Sequence, residues 1–154
     1  MPEPSVFEEL RRANALLARE AEAAYRDVAE RLARVPVVIR VDDEVLFVRA
    51  SARGIDVRRG PGPARVEIAT TRALLADLLE GELSVLDAVV NGRLFLRGSV
   101  DDLLALERAI GAYLHGAIRV PRFESLLAAF VAATRRERLA SEIAHERPKA
   151  GCSP

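Results

Sequence analysis

The stretch ARVEIATTRALLADLLEGELSVLDAVVNGRLFLRGSVDDLLALERAIGAYLHG, from Ala64 to Gly116, constrains this chain more than any other. It reads as strand, helix, short helix, strand and helix, with a glycine or a helix-capping residue at nearly every joint. Val66 and Ile68 alternate with polar residues, and Thr70-Thr71 then open a helix carrying Leu74, Leu75, Leu78 and Leu79. Gly81 supplies the left-handed backbone that ends it. Ser84 and Asp87 stand at capping-box spacing, where hydroxyl and carboxylate satisfy amides left free in a first helical turn. Leu86, Val89 and Val90 form the apolar face of that helix, and Gly92 closes it. Leu94-Phe95-Leu96 is a short strand. Gly98 leads it into a second capping box, Ser99 to Asp102, and an amphipathic helix follows through Leu103, Leu106, Ile110 and Leu114.

The flanks extend this pattern. From Ser5 to about Arg34, residues Leu10, Ala13, Leu17, Ala21, Ala24, Val28 and Leu32 recur at spacings of three and four, which predicts one long helix with a narrow apolar stripe. Such a stripe serves equally to wrap its own domain or to pair with a second copy. Pro36 stops the helix and pushes the residue before it towards extended geometry. Val37–Val41 and Glu44–Val48, separated by Asp42-Asp43, read as a hairpin of β-branched strands. Gly54–Arg59 alternates cleanly, with Ile55 and Val57 inward, as a third and more exposed strand. Gly60-Pro61-Gly62-Pro63 lacks the lysine and the glycine spacing of a phosphate cradle and reads as a connection. Beyond the central stretch, Pro121 can start a helix whose face is Phe123, Leu126, Leu127, Phe130 and Val131. Its pattern thins into charge after Arg135, and residues 147–154 are expected to form a disordered tail.

Composition excludes several classes of function. The 154 residues carry 23 basic and 23 acidic side chains, so no overall field draws in nucleic acid or an anionic membrane. Aromatics make up only 5% and tryptophan is absent, leaving little with which to stack on bases. Cys152 is the single cysteine, so no internal disulfide can form, and a frayed terminal thiol explains it better than a reactive one. The first 34 residues are charged throughout and no apolar run approaches the ~18–20 residues of a membrane span, so a cytoplasmic location with at most peripheral membrane contact is expected. His115 and His145 have no partner at metal-ligand spacing. Asp42-Asp43 and Asp101-Asp102 sit at a turn and at a helix start, where acidic residues are favoured for backbone reasons. No G-x-S-x-G nucleophile motif occurs. No catalytic residue, metal or cofactor is expected.

The strand-to-helix passage IATTRALLADLLEG, followed by LSVLDAVVNGRLFLRGSVDDLLAL, resembles the signature region of the sterol-carrier-protein lipid-transfer family. In that family a short helix of small and apolar residues precedes a strand flanked by two glycines and then a long helix. Ala88, Gly92, Leu94, Leu96, Gly98 and Leu103 hold those places here, and the likeness covers roughly residues 35–118. The resemblance implies an α+β fold: a five-stranded, mostly antiparallel sheet covered on one face by helices, with an apolar tunnel for a lipid between the layers. The order is helix, three strands, a crossover, strand, two helices, strand and two helices. Residues 1–34 would then be a helix packing on the domain, 35–118 the lipid-binding core and 119–146 a C-terminal helix. The chain departs from the family in that long first helix and in the residues after Ile118, so the Phe123–Val131 face either borders the tunnel or fills it.

Without the family, the doubled leucines are the sharpest functional feature. Leu74-Leu75, Leu78-Leu79, Val89-Val90 and Leu103-Leu104 each offer two adjacent apolar positions, enough to face both a sheet and another helix. A dense aliphatic core would use them equally well. The expected function is non-catalytic binding or transfer of a lipid or fatty acid, with Leu75, Leu79, Leu86, Val90, Leu106, Ile110, Phe123 and Phe130 in the wall. The alternative is a filled-core interaction module that forms a homodimer through its terminal helices or docks as accessory to an enzyme.

Overall fold

The computed structural model describes residues 5–146, so the expected tail lies outside the described residues. The predicted hairpin forms from β1 (Val37–Val41) and β2 (Glu44–Ser51), with Val41 opposite Glu44 and Val37 opposite Val48. Asp42 makes the turn at a φ of 51°, a region that Asp tolerates better than most side chains. Strand β3 (Gly54–Arg59) pairs antiparallel with β2, and β4 (Val66–Thr70) lies parallel to β1. Strand β5 (Phe95–Arg97) pairs antiparallel with β4. The sheet order is β3-β2-β1-β4-β5, and only the β1–β4 pairing is parallel.

Register decides what each face carries. Residues paired across strands share a face, so Ile39 lies with Leu46 and Ile68, and Val37 with Val48 and Val66. This aliphatic face is covered by helices. The opposite face presents Arg40, Arg49, Asp56, Arg58, Glu67 and Arg97. Its buried exceptions are Val38 and Phe47. The β3–β4 connection packs against them: a methyl group added at Gly62 would lie 2.5 Å from the Phe47 ring. The glycine there is needed for close approach.

The helices are α1 (Val6–Glu20), α2 (Glu22–Leu32), α3 (Arg72–Leu79), α4 (Val85–Val90), α5 (Val100–Ala117) and α6 (Pro121–Glu146). The caps read from sequence are present. Thr71, Ser84 and Ser99 accept from the amides of Leu74, Asp87 and Asp102 at 3.1 Å each. Gly81 and Gly92 take φ of 72° and 68° after α3 and α4.

The single helix expected over 5–34 is two. Ala21 leaves helical geometry at φ −141° and ψ 57°. The bend lets α1 set Leu17 against Val120 and Phe123 while α2 turns onto α5. There Gly116 faces Ala24 so closely that an added methyl would lie 2.6 Å from the alanine Cβ. No proline or glycine marks the break. It follows from serving two packing partners with one stripe.

Candidate ligand-binding site

Two apolar cavities lie between the helical layer and the sheet. The larger, about 280 Å³, runs from Val6 and Leu10 of α1 past Leu46 to Leu75 and Leu79 of α3 and Phe130 of α6. The smaller, about 180 Å³, is lined by Val28 of α2, Val48 and Ile68 of the sheet, and Leu106 and Ile110 of α5. Leu10, Ile39 and Tyr113 belong to the walls of both. Each space is smaller than the roughly 300 Å³ at which sites for drug-sized ligands begin.

Local sequence explains how the walls are placed. The Thr71 cap and the Asp42 carboxylate, which accepts from the Arg72 amide at 3.0 Å, fix the start of α3. Leu74 then turns into a cluster with Ala88 and Leu94, while Leu75 faces the larger cavity. On α5, Tyr113 meets Phe123 edge-on, with ring centroids 5.8 Å apart at 73°. That contact holds Phe123 in the wall and keeps α6 against the core.

Six of the eight expected wall residues are brought to these cavities. Leu75, Leu79, Phe123 and Phe130 line the larger, and Leu106 and Ile110 the smaller. Leu79 and Ile110 remain 42% and 46% exposed, so they stand at the margins. Leu86 and Val90 require correction. They are 71% and 75% exposed and border neither cavity. Helix α4 is six residues long, less than two turns, and the buried position goes to Ala88.

The sheet residue Ile39 was not among the expected wall residues, nor were Asn14 and Tyr113. Tyr113 was legible, since it stands three positions after Ile110 and seven after Leu106 on the same helical face. Asn14 interrupts the apolar stripe of α1 and carries no signal of its own until the fold buries it.

Charge is kept out of the walls with one exception at the margin, Glu9, which pairs with Arg12 at 3.1 Å. The buried Arg72 guanidinium lies 5.4 Å from the Phe130 ring, with Glu44 and Glu137 each at 3.9 Å. It lines neither cavity. Burial, reinforced by Tyr25, holds the Tyr113 phenol above its ordinary pKa, so the group stays protonated across the physiological range. No cluster of three or more metal-ligating side chains forms among the described residues, and no described helix is long and apolar enough to cross a membrane.

A five-stranded mixed sheet with helices over its aliphatic face defines a small α+β domain with an apolar interior. The model of the SCP-2 sterol transfer family matches residues 13–111, more than half of the chain, and the protein belongs to that family. The sterol carrier protein domain 2 of Helicoverpa armigera aligns at a TM-score of 0.53 and 15% identity, covering 73% of this chain and 95% of that one. Sterol carrier protein 2 from Yarrowia lipolytica aligns at 0.49 and 18%, covering 65% and 88%. The sec-alkylsulfatase Pisa1 from Pseudomonas sp. aligns at 0.43 and 17%; 55% of this chain is covered, but only 14% of the length of that enzyme. No curated protein sequence matches.

Proposed function

We propose that this chain is a non-catalytic carrier that binds one long hydrophobic molecule through both cavities, joined past Leu10, Ile39 and Tyr113. The observation that carries this reading is the pair of aliphatic spaces sharing three wall residues in a domain of a sterol transfer family. Burial supplies the energy. Each methylene taken from water contributes about 0.8 kcal/mol. Roughly ten methylenes give about 8 kcal/mol, comparable to the roughly 4–15 kcal/mol lost on association. Short chains therefore bind weakly, and affinity rises with length until both cavities are filled.

Leu79 and Leu127 border both the larger cavity and an outer groove of about 510 Å³ between α3 and α6. This seam is the proposed way in. Leu79→Arg puts a cation at the mouth, and its partial exposure lets the new side chain snorkel outward without unfolding α3. Displacement of a fluorescent fatty acid should weaken at least about tenfold in the variant, because an apolar chain must pass a charged group. Equal binding by wild type and variant removes Leu79 from the wall. Absence of binding in both, with native mass spectrometry showing no co-purified lipid, overturns the carrier reading.

A further inference from the structure

A lipid passing between Leu79 and Leu127 has to part α3 from α6, and the walls of the larger cavity differ in how firmly they are held. Ile39, Val41 and Leu46 belong to the hydrogen-bonded sheet. Helix α3 is fixed at its start by Thr71 and Asp42, and its Leu74 is fully buried. Helix α6 supplies Phe123, Leu126, Leu127 and Phe130, and its two ends are held in different ways. At the start, Val120 and Phe123 pack into the apolar cluster around Leu17. Towards the other end that packing runs out: Thr134 is buried, but every residue from Arg138 to Glu146 is exposed. Where the packing stops, Arg135 reaches across to α3 and the turn after it. It donates to Asp77 at 2.9 Å, to Glu80, and to Glu82 at 3.4 Å. Beside it, Glu137 lies 3.9 Å from the buried Arg72 of α3 and adds a longer ion pair.

Resting on the carrier reading, we propose that α6 is a lid over the larger cavity and that Arg135 is its latch. The lid turns about the packed start of α6, and the seam opens when Arg135 leaves its carboxylates. The catch on α3 is itself braced, since Asp77 also accepts from Arg93 at 2.8 Å. An ionic contact suits a joint that must break and re-form. The Arg135 side chain is 29% exposed, so water replaces the partners it gives up and opening is easy. Aliphatic packing in the same place would resist, because parting it exposes apolar surface to water. The latch also lies outside the cavity: Arg135 and Glu80 line the outer groove and neither lines the space within. It therefore sets how fast lipid passes and not how tightly lipid is held. The bonds favour the closed form alike with the cavity empty or filled, so loosening them speeds entry and exit by the same factor.

The experiment uses a pyrene-labelled long-chain alcohol, which carries no charge of its own. Stopped-flow mixing with the protein gives its association rate, and mixing the loaded protein with excess phosphatidylcholine vesicles gives its dissociation rate. In Arg135→Gln both rates should rise by at least about fivefold, with Kd unchanged to within about twofold. Arg135→Lys, which keeps the charge but not the planar fork, should fall between the two. In the wild type, added sodium chloride should speed both rates, because salt screens exposed ion pairs. The salt effect should shrink in Arg135→Gln. The wild-type salt series reports on the latch even if Arg135→Gln fails to fold. Equal rates in wild type and Arg135→Gln, or wild-type rates indifferent to salt, overturn the latch and leave the carrier reading standing. A weaker Kd with an unchanged association rate overturns it too, because Arg135 would then support the cavity itself. Absence of binding to the wild type overturns the carrier reading and this inference together.

Discussion

Gly116 shows how one missing side chain sets the distance between two helices. Alanine there improves helix propensity by about 1 kcal/mol. Its Cβ, however, would sit 2.6 Å from Ala24 Cβ and 3.2 Å from a Leu17 methyl. The first is a rigid stub on helical backbone, so α2 and α5 must part, and overpacking of this kind costs about 1–3 kcal/mol. Net of the propensity gain, Gly116→Ala should cost up to about 2 kcal/mol and lower Tm by up to about 8 °C in a thermal melt; a raised Tm would mean the helices are not in contact there. Single residues were unevenly legible. Ser84 and Ser99 announce caps because their partners lie three positions away. Glu44 does not, because the groups it serves are distant in sequence: it accepts from the Ser5 hydroxyl at 2.7 Å and the Val6 and Phe7 amides at 2.8 and 3.3 Å. A strand residue thus caps α1, and only the fold makes the pair.

At the scale of elements, α6 is held to α3 by charge. Asp77, on α3, accepts from Arg93 at 2.8 Å and from Arg135 of α6 at 2.9 Å, and Arg135 also pairs with Glu80. The hydrogen bond from Arg93 is the largest influence on the Asp77 carboxyl. With Arg135 it outweighs burial and holds the pKa below the ordinary 3.8. Burial alone would raise Glu44, but its bonds to Ser5, Val6 and Phe7, helped by Arg72, bring it below its ordinary 4.5. Both folded values are depressed, so both contributions are fully present above the unfolded carboxylate range and are lost as pH falls through the folded values. The urea midpoint should thus stay level down to about pH 5 and fall below about pH 4. In Asp77→Asn the fall should be shallower, from a lower starting midpoint; an identical acid profile would show that the clasp does not hold in solution. The break at Ala21 belongs to this scale as well. Alanine is an excellent helix former, so nothing local could reveal that α1 and α2 separate.

For the whole molecule, a carrier with one internal site predicts linkage between ligand and fold. A lipid that binds only the folded state at a hundredfold excess over its Kd adds about 2.7 kcal/mol. Delipidated protein should then melt several degrees lower than protein saturated with a long-chain alcohol, as measured by calorimetry; coincident melts would speak against an internal site. Element type and order could be read along the chain because helix and strand periods, capping spacings and glycine turns are local. Leu75, Leu79, Phe123 and Phe130 could be assigned to a wall for the same reason, since each repeats an apolar spacing on its own helix. Which apolar face is covered is a different matter. Leu86 and Val90 have the pattern of a buried face and yet point to solvent, because burial depends on what lies opposite and not on the residue itself. Asn14 is the converse, a polar side chain that only the meeting of helices and sheet encloses among aliphatic walls. Short-range chemistry thus determined the elements. The placing of one helix on another decided the site, because enclosure is a relation between segments far apart in the chain.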